Sequence, residues 1–240
     1  SPSRFPPQCK FASFSVDFHD LNLNELSMVR AYPTLQSPVL LMIDFQRDFC
    51  EQGGYADHHG GIEWVQDILP AAKRLIAAAR KAKIPVIHTR EGYAPDLSDC
   101  HPNKLERSKL GNCEIGSEGP LGRLLIRGEP GHDHIQSLYP IKDELVIDKA
   151  GYCAFRDTEL LNRLKAIDVK EILIAGVTAD VCVHSTMRSS SENGFINFYI
   201  RDAISTFDPE IRKACERMVE VEGGIWGHLA TVDQIERLLR

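Results

Sequence analysis

The stretch EILIAGVTADVCVHSTMRSSSENG (171–194) contains a short apolar run and a helical pattern joined by only a few residues. Its first part, EILIAGV (171–177), is β-branched and continuously apolar, which is typical of a strand covered on both faces. Its second part, VCVHSTMRSSSENG (181–194), has apolar positions at helical spacing, and Gly194 stands where a helix should end. The stretch therefore predicts a buried strand that leads directly into a helix.

The same alternation repeats on both sides of this stretch. Further buried strands are predicted for VLLMID (39–44), IPVIHT (84–89), ELVIDK (144–149) and INFYIRD (196–202). Further helices are predicted for WVQDILPAAKRLIAAARKAK (64–83), DTELLNRLKAIDV (157–169) and PEIRKACERMVEVEGG (209–224), with Asp157 and Asp208 at cap positions. Strands that alternate with helices are joined by right-handed crossovers. The sequence thus predicts an α/β fold, a doubly wound, Rossmann-like parallel sheet of about six strands with helices on both faces.

Two segments fall outside this alternation. Residues 1–36 are irregular and predict an N-terminal arm, which leaves residues 37–240 as the folded domain. Residues 90–140 are rich in Gly, Pro and charge and follow the strand at 84–89. Ligands of doubly wound folds bind beyond the carboxyl ends of the strands. We therefore expect residues 90–140 to cover that edge as a lid.

The composition argues against several classes of function. Hydrophobic residues make up 43% of the chain, but no apolar run reaches membrane-spanning length. The net charge of -6 argues against a nucleic-acid binder, which needs a basic face. The seven cysteines show no C-x-x-C spacing, and the first residues show no signal-peptide pattern. We therefore predict a cytoplasmic protein with free thiols and with neither a nucleic-acid nor a membrane partner.

Three residues with catalytic chemistry stand at predicted strand ends. VLLMID ends on Asp44, ELVIDK ends on Lys149, and Cys182 lies in the first turn of the helix after EILIAGV. In a parallel sheet these side chains project into one crevice. A helix N-terminus and an ammonium group both lower the pKa of a thiol, so Cys182 is predicted to be an ionised nucleophile. Asp44 would be its base and Lys149 the cation that favours the thiolate.

Three segments, LLMIDFQRDF, VIDK and AGVTADVCVHSTMR, resemble those of the isochorismatase-like cysteine hydrolases, and the likeness extends over residues 38–230. This resemblance implies that residues 37–240 form an isochorismatase-like hydrolase domain. It also implies a catalytic triad of Asp44, Lys149 and Cys182 that acts without a cofactor on a small-molecule substrate.

The same resemblance implies two backbone features beside the nucleophile. A cis peptide bond is expected between Val177 and Thr178, and the backbone amides of Thr178 and Cys182 are expected to form an oxyanion hole. Members of the superfamily are commonly dimers or tetramers, so a homo-oligomer is also expected.

Longer segments resemble the biuret and triuret hydrolase branch: IHTREGYAPDL, NKLERS, GRLLIRGEPGHDHIQSLYP and MVEVEGGIWG. They imply hydrolysis of a C–N bond in a linear ureido or amide compound, with triuret or biuret favoured. Phe49, Tyr152 and Glu222 are expected to bind the substrate. Glu222 replaces a glutamine of that branch, and Tyr152 replaces a second lysine. A carboxylate accepts hydrogen bonds from two N–H groups at once, so Glu222 would favour an uncharged substrate rich in N–H groups.

Other interpretations stay open at this point. Within the superfamily the substrate could be ureidoacrylate, another N-carbamoyl compound or nicotinamide, and a chain without activity would be a binding or scaffold protein. Asp57, His58 and His59 raise the question of a metal site like that of nicotinamidases. Adjacent histidines do not converge readily on one ion and no third partner is obvious, so no metal is predicted. Three further charged residues could be pocket or lid charges, but a role in surface or inter-subunit salt bridges is the favoured interpretation: Arg90, Glu91 and Arg127.

Overall fold

The computed structural model describes residues 34–239, so the predicted arm over residues 1–36 lies almost entirely outside the described residues. The main sheet has six strands, all parallel to their neighbours. They are β1 (Pro38–Ile43), β2 (Val86–Glu91), β3 (Leu145–Lys149), β4 (Glu171–Val177), β5 (Ile196–Ser205) and β6 (His228–Ala230). Every strand predicted from an apolar run is present, and only β6, which is three residues long, has no counterpart among those runs.

The strand order is β3-β2-β1-β4-β5-β6. The chain moves outward from β1 in one direction and then returns to start again on its other side, which is the doubly wound arrangement. The predicted fold class is therefore confirmed. The switch in direction lies between β1 and β4, so a ligand crevice is expected beyond their carboxyl ends.

Helices cover both faces of the sheet and its carboxyl edge. They are α1 (Arg47–Cys50), α2 (Tyr55–Gly60), α3 (Glu63–Gln66), α4 (Leu69–Lys81), α5 (Pro102–Leu110), α6 (Leu160–Ala166), α7 (His184–Glu192), α8 (Pro209–Gly224) and α9 (Val232–Leu238). Among the described residues no helix combines the length and apolar character needed to span a bilayer.

The central strand β1 shows how the core is divided. All of its residues are buried. Leu40 and Met42 pack with α4 and α9 on one face, whereas Leu41 and Ile43 pack with α6, α7 and α8 on the other. Successive side chains of a strand point to opposite faces, so a continuous apolar run is what a strand between two helical layers requires.

One of the two predicted helix caps is present and the other is not. Asp208 caps α8, since its side chain accepts a hydrogen bond from the N–H group of Glu210 at 2.7 Å, as predicted. Asp157 does not cap α6, because it takes a left-handed conformation with φ 55°. Thr158 instead accepts the N–H of Leu160 at 3.2 Å.

The segment between β2 and β3 lies over the carboxyl edge of the sheet. It contains α5, a two-stranded antiparallel ladder that joins Glu118–Gly119 to Gly122–Arg123, and short 3₁₀ turns at Pro130–His132 and Gln136–Leu138. It contributes Arg107 and Leu125 to the wall of the cavity next to Cys182, which agrees with the predicted lid.

Candidate active site

Cys182 lies in a tight helical turn directly after β4. Residues Ala179–Val183 form a π-helical turn that continues into α7, and the side chain of Cys182 is buried. The peptide bond between Val177 and Thr178 is cis, at the position where the resemblance places it. A Cβ atom at Gly176 would overlap the carbonyl oxygen of Ile43, so only glycine lets the end of β4 lie this close to β1.

Lys149, the last residue of β3, brings the predicted catalytic residues together. Its Nζ donates hydrogen bonds to Asp44 Oδ2 at 2.7 Å, to the carbonyl oxygen of Gly151 at 2.9 Å and to Cys182 Sγ at 3.5 Å. The side chains of Lys149 and Asp44 are both fully buried. An ammonium group has three donors, and all of them are used here.

Asp44 follows β1 in a left-handed conformation, with φ 55°. The hydroxyl of Thr89 donates to Asp44 Oδ1 at 2.6 Å, while Lys149 binds the other carboxylate oxygen. Side chains from β2 and β3 thus bind both oxygens of the carboxylate. Its position at a strand end was evident from the sequence, but these two partners come from distant parts of the chain.

Glu91 is a fourth member of this cluster and lines the cavity beside Cys182, so the favoured interpretation as a surface or inter-subunit salt-bridge residue is wrong and the alternative of a pocket charge is correct. Its side chain is buried, and Cys182 Sγ donates a hydrogen bond to Glu91 Oε2 at 3.3 Å. Lys149 Nζ lies 3.8 Å from the same oxygen. Glu91 is the last residue of β2 and pairs in register with Lys149. The predicted strand ended at Thr89, whereas β2 ends at Glu91, so the strand-end rule that selected Asp44 and Lys149 missed Glu91.

The electrostatics of the cluster correct one further expectation. Burial raises the pKa of the Cys182 thiol well above its ordinary value, and although Lys149 acts in the opposite direction, Glu91 and Asp44 raise it further. Burial would lower the pKa of Lys149, but Asp44, Cys182 and Glu91 raise it above its usual value. The prediction of an ionised thiol is therefore wrong for the resting protein, because one cation does not offset burial and two carboxylates.

A cavity of about 330 Å³ opens beside the sulfur of Cys182. This volume suits a small molecule. Phe49 and Tyr152, both predicted to bind substrate, line the cavity, and so do Thr178 and Cys182, whose amides are the predicted oxyanion hole. The remaining lining residues are Tyr55, His59, Glu91, Arg107, Leu125, Asp180, Val181 and Phe207.

The model of the Isochorismatase domain family matches residues 38–228 of the chain. The chain belongs to the isochorismatase family. The predicted membership of the isochorismatase-like cysteine hydrolases is thereby confirmed.

Curated relatives of this isochorismatase-family chain include two ureidoacrylate amidohydrolases. The protein from Yersinia enterocolitica is 29% identical over 185 residues, which cover 75% of this chain and 80% of the relative. The protein from Serratia proteamaculans is 28% identical over 180 residues, which cover 73% of this chain and 72% of the relative.

Solved structures of the family share the fold. A cysteine hydrolase from Pseudomonas syringae superposes with a TM-score of 0.72 at 23% identity, covering 85% of this chain and 92% of the other. N-carbamoylsarcosine amidase from Thermoplasma acidophilum superposes with a TM-score of 0.64 at 20% identity, covering 82% of this chain and 98% of the other.

Glu222 does not lie where the resemblance within the family places it. It is exposed and does not line the cavity of the chain described here, so its prediction as a substrate-binding residue is corrected. The helical pattern of α8 breaks at Val221, and Glu222 and Gly223 follow with φ 52° and 79°. Asp180 is the carboxylate that lines the cavity wall instead, and its Oδ1 accepts a hydrogen bond from the hydroxyl of Thr206.

Arg107 adds a positive charge to the cavity wall that the sequence did not single out. Burial raises the pKa of the Tyr55 and Tyr152 hydroxyls, and the nearby positive charge of Arg107 acts in the opposite direction. Its presence in NKLERS was visible in the sequence, but its distance from Cys182 along the chain gave no sign that the two lie beside one cavity.

The residues considered for a metal site in this family form other contacts. Asp57 Oδ2 accepts the N–H of Gly53 at 2.8 Å, and His58 Nδ1 bonds to the carbonyl of Gly54 at 2.9 Å. His59 packs edge-on against Phe207, with ring centroids 5.0 Å apart. Within residues 34–239 the one group with metal-ligand spacing is Asp44, Glu91 and Cys182. Lys149 contacts all three of these side chains, so the cluster already contains a cation.

Proposed function

We propose that this chain hydrolyses a C–N bond of a small linear ureido or amide compound through an acyl-enzyme on Cys182. One observation carries the proposal. The sulfur of Cys182, in contact with the buried Lys149–Asp44 pair, lines a cavity of about 330 Å³. Curated relatives named as amidohydrolases of a ureido compound support the reaction class.

Acylation begins from a neutral thiol, because burial and two carboxylates raise the pKa of Cys182. A base is therefore needed at the moment of attack. The carboxylate of Asp44 lies within 4.8 Å of the sulfur and takes its proton. The sulfur forms a bond to the substrate carbonyl carbon, and the developing oxyanion is bound by the amides of Thr178 and Cys182. The C–N bond then breaks, and the proton on Asp44 passes to the leaving nitrogen.

Lys149 keeps its charge throughout this step, because its neighbours raise its pKa above the usual value. Its contacts with Asp44 and with the sulfur hold base and nucleophile in one geometry. It also balances the negative charge that passes from the carboxylate to the sulfur and back.

Triuret or biuret is the substrate that we favour. Four segments of the chain resemble the hydrolases of these compounds, and one of them, NKLERS, includes Arg107 on the cavity wall. The aromatic rings of Phe49 and Tyr152 suit a flat substrate, and the carboxylate of Asp180 can accept its N–H groups. Asp180 thus replaces Glu222 in the argument for a substrate rich in N–H groups.

Ureidoacrylate or another N-carbamoyl acid is the second candidate. The guanidinium group of Arg107 on the cavity wall is suited to bind a carboxylate with paired hydrogen bonds. Relatives at 28–29% identity are named for ureidoacrylate. Nicotinamide has no carboxylate and is not linear, and it serves as the third compound of the test.

The test is product release from triuret, biuret, ureidoacrylate and nicotinamide by the wild type and by Cys182→Ala. We expect turnover of triuret or biuret by the wild type and none by the variant, which should still bind substrate. Turnover by Cys182→Ala would refute the proposed mechanism. A wild type that turns over none of the compounds and acquires no adduct at Cys182 would favour a binding or scaffold protein.

Arg107→Met separates the two substrate classes. For a carboxylated substrate it should raise KM about tenfold or more, because a charged hydrogen bond contributes roughly 1.5–3 kcal/mol. For biuret or triuret it should change KM much less. Arg163→Met is the matched control, because Arg163 pairs with Glu159 on the outer helix α6.

The proposed setting is a reducing cytoplasm, and the proposed assembly is a homo-oligomer. All six cysteines of the described residues are free thiols, including the partly exposed Cys100 and Cys153. Free thiols persist where glutathione and thioredoxin keep them reduced. Sedimentation of the purified protein tests the assembly.

A further inference from the structure

In the described part of the chain, Asp44 and Glu91 are the two carboxylates next to Cys182 and Lys149. Of these two, only Glu91 both binds the sulfur and lines the cavity. Its Oε2 accepts the hydrogen bond from Cys182 Sγ at 3.3 Å, and its side chain also lines the substrate cavity. Asp44 is fully buried and is not among the residues that line the cavity. The two carboxylates therefore approach the sulfur from different sides, Asp44 from the protein interior and Glu91 from the cavity.

Glu91 is also held in a fixed orientation. The hydroxyl of Tyr93 donates to Glu91 Oε1 at 3.1 Å. Burial, followed by Glu91 itself, raises the pKa of Tyr93, so the phenol stays protonated and acts as a donor. Lys104 Nζ donates in turn to the Tyr93 oxygen at 3.4 Å and to the carbonyl of Ala150 at 3.3 Å. With Oε1 engaged in this way, Oε2 is directed at the sulfur.

The second half of the reaction needs a base on the cavity side. After the amine has left, water must attack the thioester carbon, and the space next to that carbon is the cavity. Asp44 is fully buried and does not line that cavity. Glu91 Oε2, which borders both the cavity and the sulfur, is the carboxylate oxygen that such a water can reach.

We infer that Glu91 is a second catalytic carboxylate, the general base that activates water for hydrolysis of the acyl-enzyme. This inference rests on the proposed function. The water oxygen forms a bond to the thioester carbon while one of its protons passes to Glu91 Oε2. The C–S bond then breaks and its electron pair stays on sulfur. The proton on Oε2 moves to the sulfur along the observed contact, which restores the neutral thiol and the carboxylate of Glu91.

The division of labour predicts opposite kinetic signatures for the two carboxylates. In Glu91→Gln the amide oxygen can still accept from Tyr93, but the side chain cannot take a proton. Acylation should persist, so a burst of amine stoichiometric with enzyme should precede turnover slowed about 10²–10⁴-fold. Intact mass should show the acyl adduct on Cys182. In Asp44→Asn acylation itself should fail, with neither burst nor adduct.

The experiment is rapid-quench kinetics and intact-mass analysis, with whichever compound of the panel the wild type turns over. Hydroxylamine needs no base to attack a thioester, so it should release the adduct from Glu91→Gln and restore turnover. Glu171→Gln is the matched control, since Glu171 is a buried carboxyl at the start of β4 that binds the backbone N–H of Ser37 at 2.9 Å. It should show neither burst nor adduct and should turn over like the wild type.

Two outcomes would overturn the inference. One is a Glu91→Gln variant whose adduct is hydrolysed at the wild-type rate. The other is a Glu91→Gln variant that forms no adduct and is not rescued by hydroxylamine, which would give Glu91 an earlier role. Turnover by Cys182→Ala, in contrast, would refute the proposed function itself, whatever Glu91→Gln does.

Discussion

Two charge clusters lie at opposite ends of β2 and β3, a half-buried one near the amino end and a buried one at the carboxyl end. Near the amino end, the carboxylate of Glu144 binds Arg80 Nε at 2.8 Å and His88 Nε2 at 2.9 Å. At the carboxyl end, Lys149 lies among Asp44, Glu91 and Cys182. The same two strands thus carry one cluster rich in donors and one in which several acidic groups share a single cation.

The difference shows that the same two strands can support one cluster that stabilises the fold and another that takes part in chemistry. Although burial acts in the opposite direction, Arg80 and His88 lower the pKa of Glu144 to about 2, so its charge is fixed. At the other end, the pKa of the Cys182 thiol is raised and its proton faces Glu91. A cluster with too few positive charges retains a proton that can be transferred, whereas a fully paired cluster does not.

The largest effect is expected from removing the cation of the carboxyl-end cluster. Lys149→Met leaves Asp44 and Glu91 buried without a counter-charge, which should cost about 3–5 kcal/mol of unfolding free energy. Activity should be lost with it. Adding Asp44→Asn to Lys149→Met should restore part of the stability but no activity, as measured by urea unfolding and product release. Equal stability of the single and double variants would contradict this account.

A substitution in the amino-end cluster around Glu144 should lower the stability of the protein and leave its activity unchanged. Glu144→Gln removes charged hydrogen bonds to Arg80 and His88 and should lower the unfolding free energy by about 1–3 kcal/mol, with kcat unchanged. Loss of activity in a folded Glu144→Gln protein would show that the two clusters are coupled.

The stability that the Glu144 carboxylate contributes should decrease as the pH falls. The folded-state pKa of Glu144, about 2, lies below its ordinary value of 4.5. Its contribution is therefore fully present above that ordinary value and is lost as the pH falls toward the folded value. Between about pH 5 and pH 3, the stability of the wild type should fall more steeply than that of Glu144→Gln. Parallel curves would contradict the assignment.

The rate at which Cys182 is alkylated tests whether its thiol keeps its proton in the folded protein. Because the pKa of Cys182 is raised, iodoacetamide should label it at neutral pH more slowly in the folded protein than after unfolding. Removing a nearby negative charge in Glu91→Gln should increase the folded rate. Peptide mapping distinguishes Cys182 from the partly exposed Cys100 and Cys153. Faster labelling of folded than of unfolded Cys182 would mean that the thiol is already ionised.

The smallest effect is expected at Tyr93, which orients Glu91 through a hydrogen bond of 3.1 Å. Tyr93→Phe removes a bond that contributes about 0.5–1.5 kcal/mol, so hydrolysis of the acyl-enzyme should slow roughly 2–10-fold. Amine release in the burst should keep its rate. A slower burst with normal later turnover would place Tyr93 in the acylation step.

Much of the fold could be predicted from apolar runs, because a strand buried on both faces needs a continuous apolar sequence. β1 and β4 are examples. The short strand β6 could not be predicted in this way, because two of its three residues are only partly buried. The break in α8 is a similar case, since the helical spacing of its apolar residues continues through Val221, where the backbone leaves the helix.

The sequence by itself determined that Asp44, Lys149 and Cys182 stand at strand ends, because strand ends follow from local patterns. Only the tertiary structure decided which charges meet. It buried Glu91 against the sulfur, left Glu222 exposed and brought Arg107 to the cavity wall. The tertiary structure also decided whether the Cys182 thiol keeps its proton, because its pKa depends on burial and on charges contributed by strands far apart in the chain. Desolvation and Coulomb interactions act through space, and spacing along the sequence does not contain them.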